Sequence, residues 1–233
     1  MGRNNIMHKV SVLMATYNRA HLLPNAVLSF LEQDYGNCEL LILNNGSTDF
    51  TDQYLATLKD HRNIRVFHSK ENRKDAANYL WPKATGELVC VLCDDDQFTR
   101  DSISVRVKEF EKNPELEVVY GGVQEQDILE KKLSLYGGQS PDKTRILTDE
   151  YINFTTLMWR RDLQNKFVFD TDLYYYQDWF FKIRCLWECE VGYVHEPVMN
   201  YTIHLDQESV RLRGRGAEDN KIMREKLFKL YGV

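Results

Sequence analysis

Three consecutive carboxylates, Asp94, Asp95 and Asp96, end the apolar run Leu88 to Cys93 in the stretch LVCVLCDDDQF. Two like charges about 4 Å apart repel by ~1 kcal/mol in bulk water and by ~4 kcal/mol at an effective dielectric near 20. Solvent must screen that repulsion, or a cation must turn it into attraction. Hard divalent ions prefer oxygen ligands, and magnesium commonly takes one or two carboxylates together with substrate phosphates. Three further polar clusters carry potential chemistry: TYNR (16–19), NNGSTD (44–49) and the lone carboxylate Asp178, which opens an apolar helical stretch. The residues alone leave alternatives open. A solvated acidic turn would also end in Asp94, Asp95 and Asp96, and Asp is a good first-turn or capping residue at a position such as 178.

The elements that must place these clusters are legible as alternating periodicities. KVSVLMA (9–15), CELLILN (38–44), NIRVFHS (63–69) and ELVCVLC (87–93) read as buried strands. Between them, Leu23, Val27, Phe30 and Leu31 recur at helical spacing, with Pro24 tolerable only in a first turn. Ser47 and Asp49 are capping candidates before a helix carrying Tyr54, Leu55 and Leu58, and DAANYLWPKA (75–84) is a third helical stretch. Strands alternating with helices imply βαβ units and a parallel sheet, in which ligands bind beyond the carboxyl ends of the strands. TYNR, NNGSTD and the acidic triplet all fall at such ends. Past a helix from Ser102 to Lys112, closed by Asn113-Pro114, the pattern changes. LEVVYGGVQEQDI (116–128) and KKLSLYGG (131–138) read as antiparallel strands, followed by a helix with Phe180, Phe181, Ile183, Leu186 and Trp187 on its apolar side and a final amphipathic helix. The expectation is one α/β domain over 1–233, in two halves at about 9–98 and about 99–209 with a C-terminal loop and helix at about 210–233.

The chain has 233 residues, 43% hydrophobic and 28% charged, with a formal net charge of -5. That suits a globular protein with a real core and argues against a dedicated nucleic-acid binder, whose footprint is basic. No stretch approaches the ~20 apolar residues of a membrane span. Five cysteines, odd in number and mostly within apolar runs, suit free thiols in a reducing compartment. Cys90 and Cys93 stand three apart on one strand and so face opposite sides, which argues against a thiolate metal site. The expected location is cytoplasmic, free or peripheral at a membrane.

In order and spacing, VSVLMATYNR, LLILNNGSTDFT, KENR…AAN…ATGELVCVLCDDD, WRRDL, YYQDWFFKIRCL and YTIHLDQES resemble the family 2 glycosyltransferases of GT-A fold, from about residue 9 to residue 209. The resemblance implies a Rossmann-like, mainly parallel central sheet flanked by helices, with a smaller antiparallel acceptor-side portion. By the same resemblance the first half, about 9–98, would bind nucleotide, and the second, about 99–209, would be the catalytic and acceptor half. It implies transfer of a sugar, with inversion, from a nucleoside-diphosphate sugar, a UDP-sugar in the first instance, to a hydroxyl of a glycan, glycolipid or lipid-linked saccharide. A modified nucleic acid is a further candidate acceptor. Ala15, Tyr17, Arg19, Asn45 and Asp94 would bind the nucleotide sugar. Asp95, Asp96 and His204 would hold a manganese or magnesium ion, and Asp178 would be the general base. Arg73, Tyr176, Trp179, Arg211 and Arg213 would contact diphosphate or acceptor.

The chain departs from the family pattern in four places. Asn44-Asn45 replaces a common Asp pair, Gln177 a common Glu, Cys93 the first Asp of Asp-x-Asp, and Ala77 an Arg. An amide can accept a hydrogen bond where a carboxylate would, but it also donates. Asn44-Asn45 and Gln177 keep a catalytically inactive nucleotide-sugar-binding module as an alternative. A nucleotidyltransferase on a related fold is a second alternative, although ATYNRAHLL lacks the glycine-rich phosphate loop such an enzyme needs.

Overall fold

The structure, a computed structural model, describes residues 7–127, 132–203, 207 and 216–233. Four strands form the parallel part of the sheet: β1 (Val10–Thr16), β2 (Cys38–Asn45), β3 (Ile64–Ser69) and β4 (Leu88–Val91). They are joined through helices α1 (Leu23–Leu31), α2 (Thr51–Ala56) and the short α3 (Ala76–Leu80). The second half contributes β5 (Gln97–Phe98), α4 (Ser102–Lys112), β6 (Val118–Asp127), β7 (Lys132–Gly137), β8 (Met158–Arg160), α5 (Gln177–Glu188), β9 (Val191–Ile203) and α6 (Gly216–Tyr231). All nine strands belong to one sheet in the order β3-β2-β1-β4-β8-β6-β9-β5, with β7 paired to β6. β8 runs antiparallel to both β4 and β6, and β7 antiparallel to β6, while β9 returns parallel to β6.

The inner parallel strands β1, β2 and β4 are mostly apolar and buried because both faces are covered, and alternate residues enter different cores, whereas the edge strand β3 is half-exposed. Leu13, Leu41, Leu43, Val89 and Val91 pack with Leu80 of α3, Phe180, Phe181 and Ile183 of α5, and Met223 and Leu227 of α6. Val12, Met14, Leu40, Ile42 and Cys90 face the other way, against Val27 and Phe30 of α1, Leu55 of α2, and Ile103, Val107 and Phe110 of α4. Burying an aliphatic side chain of this kind stabilises by about 1.5–3 kcal/mol.

Two sequence expectations shift. Leu31, at the last position of α1, is 40% exposed, because the helix ends there and the apolar stripe has rotated away from the sheet. β4 stops at Val91 rather than running to Cys93, although Leu92 still donates its N–H to Leu13 O. Cys90 is fully buried in the α1/α4 core whereas Cys93 packs against the α5 side, so the two thiols do face apart.

An aromatic nest seats α5. Phe169 stacks on Phe181 with centroids 4.3 Å apart, and Trp81, Phe154 and Trp159 pack around them at 5.2–6.2 Å from a neighbouring ring. Aromatic pairs add roughly 0.5–1.5 kcal/mol beyond burial, so the start of α5 is held by rigid rings rather than by flexible aliphatics.

Candidate functional site

The loops after β1 and β2 are zipped to each other. Asn18 adopts φ 53°, which Asn tolerates better than most residues. Its Oδ1 accepts from Thr48 N at 2.7 Å, and its own N–H donates to Ser47 Oγ at 3.0 Å. Asp49 accepts from Ala20 N at 3.1 Å and, with its other oxygen, from Thr51 N at 3.0 Å at the start of α2. Gly46 sits at φ +85°, and a Cβ there would lie 2.8 Å from the Glu71 carbonyl carbon, so only glycine fits. NNGSTD is thus a turn that fixes the shape of the TYNR loop. Ala15, near the end of β1, and Tyr17, on that loop, are both exposed.

Asn45 is 5% exposed and both ends of its amide are engaged. Its Oδ1 accepts from Arg73 N at 2.9 Å, and its Nδ2 donates to Asn72 Oδ1 at 2.7 Å and to Arg73 O at 3.0 Å. It holds the 72–73 loop against the end of β2. The Arg73 guanidinium in turn grips Asp75 through two hydrogen bonds of 2.9 and 2.7 Å.

At the end of β4 the acidic triplet is crowded. Asp94 is pushed up to about 7, by burial first and then by the Asp95 charge. Asp96, 4% exposed, is likewise pushed well above the usual carboxylate range by burial and by Asp95. Arg19 supplies one counter-charge, donating to Asp95 Oδ2 at 2.9 Å. Thr155 Oγ1 donates to Asp96 Oδ2 at 2.8 Å. Tyr201 on β9 belongs to the same environment, since burial and then the Asp96 charge push its phenol up to about 12.

Among the described residues, the donor atoms close enough to share an ion are those of Cys93, Asp95 and Asp96, within 4.8 Å of one another. Two carboxylates suit a hard divalent ion. The thiol does not: it is a soft donor, and burial followed by the Asp96 and Asp95 charges pushes it well up, keeping it protonated. The set therefore fits magnesium or manganese through its oxygens.

The segment 150–156 touches both the strand tip and α5. Thr155 holds Asp96, Phe154 packs edge-on against Phe181 at 6.2 Å, and Glu150 bonds Lys182 of α5. The segment is itself anchored by Arg106 of α4, a fully buried guanidinium. Its Nη1 donates to Thr156 O at 3.0 Å and to Leu157 O at 3.2 Å, and its Nε and Nη2 bond Ser102. Asp178 stands in the first turn of α5 with its side chain 39% exposed. Tyr176 packs edge-on against Trp179 at 5.3 Å, and Trp179 Nε1 donates to Ile146 O at 2.7 Å. His204, Arg211 and Arg213 lie outside the described residues. Thr155, Tyr201, Glu150 and Lys182 had no sequence signal, because each gains its role from a partner far along the chain.

The family described as Glycosyl transferase family 2 matches residues 11–169. The curated relatives include the putative colanic acid biosynthesis glycosyl transferase WcaA of Escherichia coli, 36% identical over 100 residues that cover 41% of this chain and 36% of that protein. Also similar is the GalNAc(5)-diNAcBac-PP-undecaprenol beta-1,3-glucosyltransferase of Campylobacter jejuni, 32% identical over 102 residues, covering 42% of this chain and 33% of the other. The chain thus spans well under half the length of these relatives. Among solved structures, S. aureus TarS 1-349 in complex with UDP-GlcNAc superposes with a TM-score of 0.77 at 16% identity, over 94% of this chain and 66% of that one. The mannosyltransferase PcManGT from Pyrobaculum calidifontis, in complex with GDP-Man and Mn2+, superposes with a TM-score of 0.68 at 19% identity, over 97% of this chain and 65% of the other. Both likenesses establish the GT-A architecture.

Proposed function

The chain belongs to glycosyl transferase family 2, and from that premise we propose that it transfers a sugar with inversion from a nucleoside-diphosphate sugar, a UDP-sugar, to a hydroxyl of a glycan or lipid-linked saccharide. Support for the donor class comes from relatives of the same fold whose complexes hold UDP-GlcNAc or GDP-Man. The observation that carries the reading is the 150–156 segment, which ties the acidic strand tip and the Asp178 helix into one frame.

In this reading Ala15 and Tyr17 line the nucleoside. Asn45 shapes the base pocket through the 72–73 loop, since its own amide is already used. Asp94 meets the ribose, where a carboxyl already prone to hold a proton can donate as well as accept. Asp95 and Asp96 would hold manganese or magnesium, with His204 as a further candidate ligand. The ion, when bound, supplies positive charge to the leaving diphosphate. Arg19 neutralises part of the tip's charge before any ligand arrives. Asp178 takes the acceptor's proton as its oxygen attacks, and one carboxylate suffices for inversion. Tyr176 and Trp179 form an aromatic step beside that base, and Arg73, Arg211 and Arg213 are further candidates for phosphate contacts.

No helix among the described residues is long and apolar enough to cross a membrane. The free thiols, four of them buried, suit the cytoplasm, where we place the protein. The catalytic assignment is tested by Asp178→Asn. Transfer, or slow donor hydrolysis, should fall about 10²–10⁴-fold while nucleotide affinity stays. Unchanged turnover would remove Asp178 from the mechanism.

A further inference from the structure

Lys182 lies one helical turn after Asp178, yet its side chain is only 1% exposed. A buried ammonium is strongly unfavourable unless charge-paired. Here it meets two carboxylates. Its Nζ bonds Glu150 Oε1 directly and stands 3.5 Å from Asp178 Oδ2. Burial works against the Lys182 charge, but Asp178 and Glu150 outweigh it and hold the ammonium protonated. The neighbouring Gln177 brings no charge and spends its amide on Leu173 O at 2.6 Å. The other charges near Glu150 on its own segment, Arg145 and Asp149, are bonded to each other at 2.7 Å.

We propose that Glu150 and Lys182 are a positioning pair that sets the rotamer of Asp178, dividing one buried cation between two carboxylates. The proposal rests on Asp178 being the base. Glu150 takes the closer contact, so Asp178 is steered by the lysine without being locked into a full ion pair. A carboxylate locked on an ammonium cannot turn to an incoming hydroxyl, and two facing carboxylates without the ammonium would repel each other. Glu150 has its side chain 41% exposed, and desolvation raises its carboxyl above the usual range, with Lys182 opposing this and the Asp178 charge adding to it.

The two partners act on Asp178 with opposite signs, and that distinguishes positioning from mere packing. Lys182→Met removes the cation with an apolar side chain of similar length, and Glu150→Gln removes the competing charge while keeping shape. The contact at Asp178 is read by its ¹³C carboxyl resonance at one fixed pH near neutral, assigned with Asp178→Asn, and needs no substrate. That resonance should move in opposite directions when the ammonium is lost in Lys182→Met and when it is freed to close on Asp178 in Glu150→Gln. In Lys182→Met, kcat for donor hydrolysis should fall roughly tenfold or more, with KM for the nucleotide sugar unchanged. Shifts in the same direction, or none in Glu150→Gln, would overturn the pair even if Lys182→Met does not fold. Opposite NMR shifts in a protein that turns over no nucleotide sugar would support the pair and refute the transferase reading, so the two failures are separable.

Discussion

The same parallel strands carry buried carboxylates at both ends, and the two ends treat them in opposite ways. At the amino end, Glu39 of β2 is 5% exposed and saturated with donors. Ser11 Oγ, Thr85 N and Thr85 Oγ1 donate to one of its oxygens at 2.7, 2.9 and 2.7 Å, and Lys9 and Arg65 stand 3.7 and 3.4 Å from the other. Burial raises its pKa, but these hydrogen bonds and the Lys9 charge prevail and hold it below the usual range. At the carboxyl end, burial and mutual repulsion prevail, and Asp94 and Asp96 are held above it. Burial is common to both. What differs is the supply of donors: the lower end is saturated by the fold's own groups, and in the proposed function a cationic ligand completes the upper end.

Substitutions at the two ends should therefore separate binding from stability. The largest effect is expected for Asp96→Asn. An amide oxygen can still accept from Thr155, so melting should stay within about 0.5 kcal/mol of the parent or rise. The stabilisation by nucleotide plus manganese, about 2.7 kcal/mol at 100 times the dissociation constant, should vanish. Thermal shift with and without ligand checks both halves. Glu39→Ala should do the reverse, losing about 1–3 kcal/mol because buried donors are left without a partner, with nucleotide affinity intact. Denaturant unfolding and titration calorimetry on one preparation test this.

A smaller effect concerns pH. The folded-state pKa of Glu39 lies below its unfolded value, so its contribution is fully present above the unfolded value, near ~4.3, and is lost as pH falls through the folded one. Parent stability should drop more steeply below about pH 4 than that of Glu39→Gln, measured as melting temperature against pH. Parallel curves would show that Glu39 is not saturated as described.

The sheet and its helices were the readable part of this protein. The strands at 10–16, 38–45 and 64–69 and the helix Ser102–Lys112 follow from apolar periodicity, which is local and insensitive to distant partners. The acidic triplet was visible as a breach of that pattern. Lys182 was not, because a lysine among Phe181, Ile183 and Arg184 reads as a solvent-facing helix position, and its burial depends on Glu150, thirty-two residues upstream. Asn45 showed its place at a strand end but not its employment there, since the segment it binds is ordered only in the folded chain. Thr155 is one more threonine in NFTT until Arg106 fixes the turn around it.

Titration of UDP into the protein in manganese, and again in EDTA, tests the central claim most directly: the carboxyl end is an unfinished site completed by a divalent ion and a diphosphate. The account predicts strong binding in manganese that falls at least tenfold in EDTA and in Asp96→Asn. Equal affinity with and without the ion, or no binding by UDP or any other nucleoside diphosphate, would contradict it.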